Sequence, residues 1–177
     1  MSSITSLNQL DEFFADMVVS LIGLDSDKVL IAYEQMGQVF PNKFTDVCFV
    51  HTSEETDDVQ MYKTRKEGPI KVQGEDKWKI EQYSMRRIKV QFIFYGPNSN
   101  AKAMELKEKL YFPGTNLLLD TNNLALIPTG INLTNIRENI NDIYWERTDL
   151  EASFYNSVIF DEVVDMIESM NLTVKTQ

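Results

Sequence analysis

Cysteine and histidine are almost missing from this chain. There is one of each, Cys48 and His51, in 177 residues. A lone cysteine excludes an internal disulfide, and one histidine beside one cysteine excludes the His and Cys clusters that hold zinc. Cys48 lies in the apolar run Val47–Cys48–Phe49–Val50, which reads as a buried strand residue rather than a nucleophile. A reducing cytoplasm is the expected compartment. His51, in the same strand-like run, reads as a partly buried polar residue. No window approaches the roughly 20 apolar residues of a membrane span. The opening Met1–Ser2–Ser3–Ile4–Thr5–Ser6 has neither a basic region nor an apolar core, so no secretory signal is expected. The chain also lacks a Gly-x-Ser-x-Gly elbow, a phosphate loop and a dinucleotide fingerprint. Asp25–Ser26–Asp27 opens like a calcium loop, but Met36 stands where a bidentate Glu is required.

Positive charge is scarce. Lys and Arg total 17 against 27 Asp and Glu, a net charge of −10. That balance argues against a grip on duplex DNA, which needs clustered Lys and Arg to displace counterions. It fits either solubility alone or an acidic wall past which DNA slides without sticking. Carboxylates recur at Asp57–Asp58, Glu138–Asp142 and Asp161–Glu162. Nothing in their spacing sets two of them across a cleft, and they read as solvated surface. The expectation is a chain with no catalytic residues, no cofactor and no tightly held metal.

What is present is a pattern of helices and strands. Ser6 to Ile22 reads as a helix capped by Ser6, with Gln9 at the capping-box position. Its apolar face carries Leu7, Leu10, Phe13, Phe14, Met17, Val18 and Leu21. Gly23 ends it. Val29 to Tyr33 and Asp46 to Ser53 read as strands, with a break at Phe40–Pro41–Asn42–Lys43 between them. Residues 54–79 differ in character. Glu54 to Asp58 is acidic, Lys63–Thr64–Arg65–Lys66 is basic, and Gly68–Pro69 and Gly74–Glu75–Asp76 are turns. This segment predicts a long polar loop or a protruding β-arm, either mobile in solvent or ordered by a neighbouring subunit. Trp78 to Tyr95 reads as one long strand or a pair joined at Ser84–Met85. Within it Ile88, Val90, Phe92 and Phe94 alternate with Lys89 and Gln91, the period of two that a half-buried strand needs. Gly96–Pro97–Asn98 stops the strand, and a charged helix follows over Asn98 to Tyr111. A short helix Thr115–Asn122, a short strand Asn123–Pro128, a connector over Ile131–Ile136 and a long strand Ile143–Ser157 come next. From Val158 to Thr173 the apolar period is mixed, and Asp161 to Glu168 fits an edge strand or a helix. No repeat, linker or low-complexity tract interrupts the chain. The fold expected is α/β (α+β), a β-sheet flanked by helices, as one domain over residues 1–177.

The C-terminal half carries a resemblance. A strand ending in Tyr95–Gly96–Pro97 precedes the helix Ala101–Lys102–Ala103–Met104–Glu105–Leu106. Then come Leu124–Ala125–Leu126–Ile127–Pro128, Asn135–Ile136–Arg137–Glu138 and Trp145–Glu146–Arg147–Thr148–Asp149–Leu150–Glu151–Ala152–Ser153–Phe154. This order, over roughly residues 80–160, resembles the phage neck terminator family, relatives of the tail terminator proteins of long-tailed phages and phage-like tails. Residues 6–53 fit more loosely, and 54–79 match no pattern of the family.

The resemblance implies a structural virion protein of the tail or neck, assembled in the host cytoplasm. It implies a ring, usually a hexamer, that stops the tail tube at its head-proximal end and meets the neck or connector. Its partners are then other copies of the chain, the tail tube protein and, in some tails, sheath. DNA runs through the lumen without specific binding. Another neck component, such as a head-closure or connector-completion protein, is the nearest alternative, and a small cytoplasmic enzyme using paired carboxylates is a more distant one. On this reading Trp145, Glu146 and Arg147 are candidate subunit-interface residues, with Glu146 and Arg147 on opposite sheet faces; an internal ion pair is the competing account. Lys63, Arg65 and Lys66 are candidate interface residues on the arm. Acidic residues placed in loops near strand ends, Asp120, Glu138 and Asp142, are the candidates for the lumen.

Overall fold

The first helix, α1, spans Leu7–Ile22, and both of its ends follow from local chemistry. Ser6 Oγ accepts the Gln9 N–H, and Gln9 Oε1 accepts the Ser6 N–H, completing the capping box. Gly23 takes a left-handed φ of 65° at the other end. The computed structural model of the chain describes residues 6–32, 42–56, 63–72, 75–140 and 142–165. The expectations that rest on Tyr33, Met36, Phe40–Pro41, Asp57–Tyr62, Gln73–Gly74 and Met166–Thr173 lie outside the described residues.

The remaining elements are β1 (Val29–Ile31), β2 (Val47–Glu55), β3 (Lys63–Val72), β4 (Glu75–Tyr95), α2 (Ser99–Lys109), α3 (Pro113–Thr121), β5 (Leu124–Leu126), β6 (Asn132–Ile140) and β7 (Ile143–Asp165). The seven strands of the described residues join one mixed sheet, ordered β1-β2-β4-β7-β5, with β3 also on β4 and β6 also on β7. The fold is thus α+β, as the sequence predicts. Its axis is the pair β4 and β7, which are 21 and 23 residues long and antiparallel from Lys77↔Asp165 to Tyr95↔Arg147.

The long pair divides into a body and an arm. In the body, β2 pairs with Arg87–Tyr95 of β4, while β5 and β6 pair with Ile143–Asn156 of β7. In the arm, β3 pairs with Glu75–Ser84 of β4, and the opposite edge of that stretch carries Val158–Asp165 of β7. Of residues 54–79, Lys63–Val72 and Glu75–Lys79 lie in a three-stranded stretch of sheet. Glu54 and Glu55 belong to β2 in the body, and the end of β7 supplies the third strand.

One face of the sheet is covered. Leu10, Phe14, Met17, Val18 and Ile22 of α1 pack with Ala103 and Leu106 of α2 on Cys48, Val50, Ile88, Val90, Phe92, Phe94, Leu150, Ala152 and Phe154. Phe14 meets Phe92 edge-on and Phe154 at a tilt. The expected packing of the first helix on the Ile88–Phe94 strand is present. The two helices are also tied end to side. Lys102 and Lys109 Nζ donate to the carbonyls of Ile22 and Leu21, supplying positive charge where α1 has none of its own.

One local expectation is corrected and two open choices are resolved. Residues 131–136 are not a connector: from Asn132 they form β6, which pairs with β7 in a continuous register. Of the two readings of Trp78–Tyr95, the single long strand is the one observed, since Ser84 and Met85 pair with Val158 and Ser157 without a turn. The choice left open for Asp161–Glu168 resolves as strand through Asp165.

Candidate functional site

The second face of the sheet body carries no helix among the described residues. Alternation puts Phe49, His51, Ser53 and Glu55 of β2 on it, with Arg87, Lys89, Gln91, Ile93 and Tyr95 of β4 and Arg147, Asp149, Glu151 and Ser153 of β7. These polar groups pair with each other across strands. Arg87 Nε meets Glu55 at 2.8 Å, and Lys89 Nζ meets Glu151 at 2.8 Å. Gln91 Nε2 donates to the other oxygen of Glu151, and Ser153 Oγ donates to Glu55. The Lys89 and Gln91 contacts hold the Glu151 carboxyl below its usual range.

At one end of this face stands an aromatic and charged cluster. Val47, Tyr95 and Trp145 are buried there, with Phe49, Ile93 and Ile140 against them. Tyr95 lies edge-on to both Phe49 and Trp145. Arg147 grips Asp149 through Nε and Nη2, each at 2.7 Å, and Glu138 through Nη1 at 3.1 Å. Tyr95 Oη donates to Glu138 at 2.6 Å. That hydrogen bond, and then Arg147, lower the Glu138 pKa. Burial, and then Glu138, raise that of Tyr95. The Asp149 pair raises that of Arg147.

These contacts fix the position of each candidate residue. Trp145 is 8% exposed and belongs to the aromatic cluster. Arg147 is half-buried in its two ion pairs, while Glu146, opposite Arg137, is exposed on the other face. Lys63, Arg65 and Lys66 are exposed on β3. Arg65 pairs with Glu67, and Lys66 Nζ sits 4.9 Å from the Tyr83 ring centre. The three candidate acids do not share one setting. Asp120 is exposed on α3, Glu138 is half-buried on strand β6, and Asp142 alone is in a turn, with a φ of 62° between β6 and β7. Asp120 adjoins Asn123, whose carbonyl accepts the Ser157 N–H. It thus lies near the Asn156–Ser157 level of β7, whereas Asp142 precedes the start of that strand, at the opposite end of its body stretch.

Sequence reasoning passed over a further surface. Met104, Tyr111, Phe112, Leu117 and Leu118 of α2, α3 and their junction are exposed, Leu117 at 69%. Beside them a groove of about 560 Å³ is lined by Tyr111, Leu117, Leu119, Asp120, Leu126 and Pro128, among others. The signal was the run Leu117–Leu118–Leu119 in α3, more than one buried stripe needs, beside Tyr111 and Phe112 at the junction. Asp120 is the one carboxylate of that groove. Among the described residues no three His, Cys, Asp or Glu gather where they could hold a metal ion. None of the described helices is long and apolar enough to cross a membrane. Burial raises the Cys48 thiol well above its ordinary pKa, which leaves it un-ionised.

A family model described as phage neck terminator protein matches residues 8–177, nearly the whole chain. The match takes in residues 54–79, which the resemblance had left out. No curated protein matches the chain.

Proposed function

The chain belongs to the phage neck terminator family, and from that premise we propose that it acts as a single-domain, non-catalytic assembly protein of the tail and neck. Copies close into a hexameric ring on the head-proximal end of the tail tube. The ring halts tube growth and offers the neck or connector a joining surface. DNA crosses its lumen without specific binding. The observation that carries this reading is the family match over residues 8–177. The uncovered sheet face, the arm and the exposed apolar residues at the α2–α3 junction support it, because each is suited to protein partners.

Polymerising the tail tube protein with and without the chain tests the reading. Capping predicts shorter tubes, with an extra ring density at one end in negative-stain images. Unchanged tube lengths, with the chain bound only to connector protein, would point instead to head closure or connector completion.

A further inference from the structure

The arm has two open edges among the described residues. On one side β3 pairs only with β4, and on the other Val158–Asp165 of β7 pairs only with β4. Each edge is about 30 Å of backbone with outward N–H and C=O groups. The two edges differ in chemistry. β3 carries Lys63, Arg65, Lys66 and Lys71 against one acid, Glu67. The end of β7 carries Asp161, which meets Lys79 of its own arm at 3.2 Å, and Glu162, and over Val158–Val164 no base. Lysines and Pro69 blunt the β3 edge against casual pairing, as is common for natural edges. The β7 edge has no such guard. Phe160 is 57% exposed and Val163 47% exposed there, which leaves a bare, partly apolar strand that a partner strand would cover.

We propose that the β7 edge of each arm is covered by β3 of the next copy, so that the arms of the ring fuse into one continuous β-barrel. This inference rests on the ring reading and adds its joint. Charge selects the pairing. Two β7 edges would set acid against acid, and two β3 edges base against base, so a two-fold, self-complementary contact is disfavoured. Basic edge on acidic edge is a heterologous contact, the kind that propagates head to tail and closes into rings. Strand direction agrees. Within one arm β3 and β7 both run antiparallel to β4, hence parallel to each other. Rotation about a ring axis preserves that sense, so β7 and the next β3 meet as a parallel pair. Pro69 removes a single N–H from β3 and leaves the other donors of the strand in place. The occupant is a second copy of this chain, chosen because its own β3 supplies the complementary charge.

Three charge-swapped variants of the full chain test the joint, read by native mass spectrometry and by hydrogen exchange over residues 157–165. Lys63→Glu/Arg65→Glu/Lys66→Glu and, separately, Asp161→Lys/Glu162→Lys should each raise the concentration needed for the ring about tenfold or more, since attraction becomes repulsion at every joint. The variant carrying all five substitutions restores opposite charges and should recover the ring, with slow exchange over 157–165. Circular dichroism reports whether each variant is folded. Rings that persist in both partial variants overturn the joint, as does a folded five-fold variant that stays monomeric. Fast exchange over 157–165 in an intact wild-type ring also overturns it. A wild-type chain that is monomeric at every concentration overturns the ring reading first, and the joint with it.

Discussion

Asp11 is an acid on the apolar face of α1, 7% exposed, one residue from Leu10 in the core. Its place follows from the shortness of β1. That strand covers β2 only at Cys48–Val50, and the Ala32 N–H takes the Val50 carbonyl. The next outward N–H of β2, that of Thr52, meets no strand among the described residues and donates to Asp11 Oδ1 at 2.6 Å. Asp11→Ala should cost about 1–3 kcal/mol in chemical denaturation, the cost of a buried donor left unpaired. Asp11→Asn, which keeps an acceptor, should recover most of it; equal losses in both would show that packing, not the hydrogen bond, matters. Glu138 is the second decisive residue. Its carboxyl pKa is lowered by Tyr95 and then Arg147, so it adds stability that is present above the ordinary carboxylate range and is lost as pH falls through the depressed folded value. The melting-temperature gap between wild type and Glu138→Gln should therefore close on going from about pH 7 to about pH 3. A gap that is constant over that range would place the effect elsewhere.

At the scale of elements, the turn after β4 shows how one glycine joins strand to helix. Gly96 has φ 115°, and a Cβ there would stand 2.5 Å from Asp46 Oδ1 and 2.8 Å from the Thr45 carbonyl oxygen. The same Asp46 side chain accepts both the backbone N–H and the side-chain amide of Asn98, which starts α2. Gly96→Ala should lower stability by about 1–3 kcal/mol from backbone strain, with the clash added. A melting temperature unchanged from wild type would disprove that the turn is tight. The Gly96–Pro97–Asn98 break was legible because turn residues announce themselves, and α1 was legible because its cap and its apolar spacing agree. β6 was not legible. Its apolar residues Leu133, Ile136 and Ile140 break the period of two, and most of its side chains are exposed. It is a strand because β7 offers it a ladder, which is tertiary information. The end of β7 was ambiguous for a related reason: among the described residues no helix packs on either face of the arm, so no single face is forced to be apolar. Trp145 and Arg147 were legible as a unit. Their enclosure by Tyr95 and Glu138 was not, since those partners come from other strands.

At the scale of the whole molecule, ion pairs on the second sheet face leave the net charge of −10 to acids elsewhere. Glu55, Glu151, Glu138 and Asp149 are each paired with Arg or Lys on the uncovered face. In a ring, an acid near the channel repels phosphate only within about 8 Å at physiological salt, so location matters more than the total. Glu138 is already engaged by Tyr95 and Arg147, which leaves the exposed Asp142 and Asp120 as the free-standing candidates for a collar. They lie at opposite ends of the body stretch of β7, so in a ring whose channel runs along that strand only one can ring a given level. Asp142 is the better choice for a narrow collar, because the tight β6–β7 turn holds it at the tip of a hairpin with exposed Ile143 and Tyr144 beside it. Symmetry repeats every substitution around the ring, so one change yields a full basic collar. The wild-type ring should leave labelled duplex DNA unbound at about 0.15 M salt, whereas an Asp142→Lys ring should bind it. That gain should weaken with salt at a slope of about −0.9 per phosphate engaged. Asp120→Lys should gain no such binding. If both rings assemble and the Asp120→Lys ring alone holds DNA, the channel lies at the α3 end of the body. If neither does, the acids face outward and serve solubility.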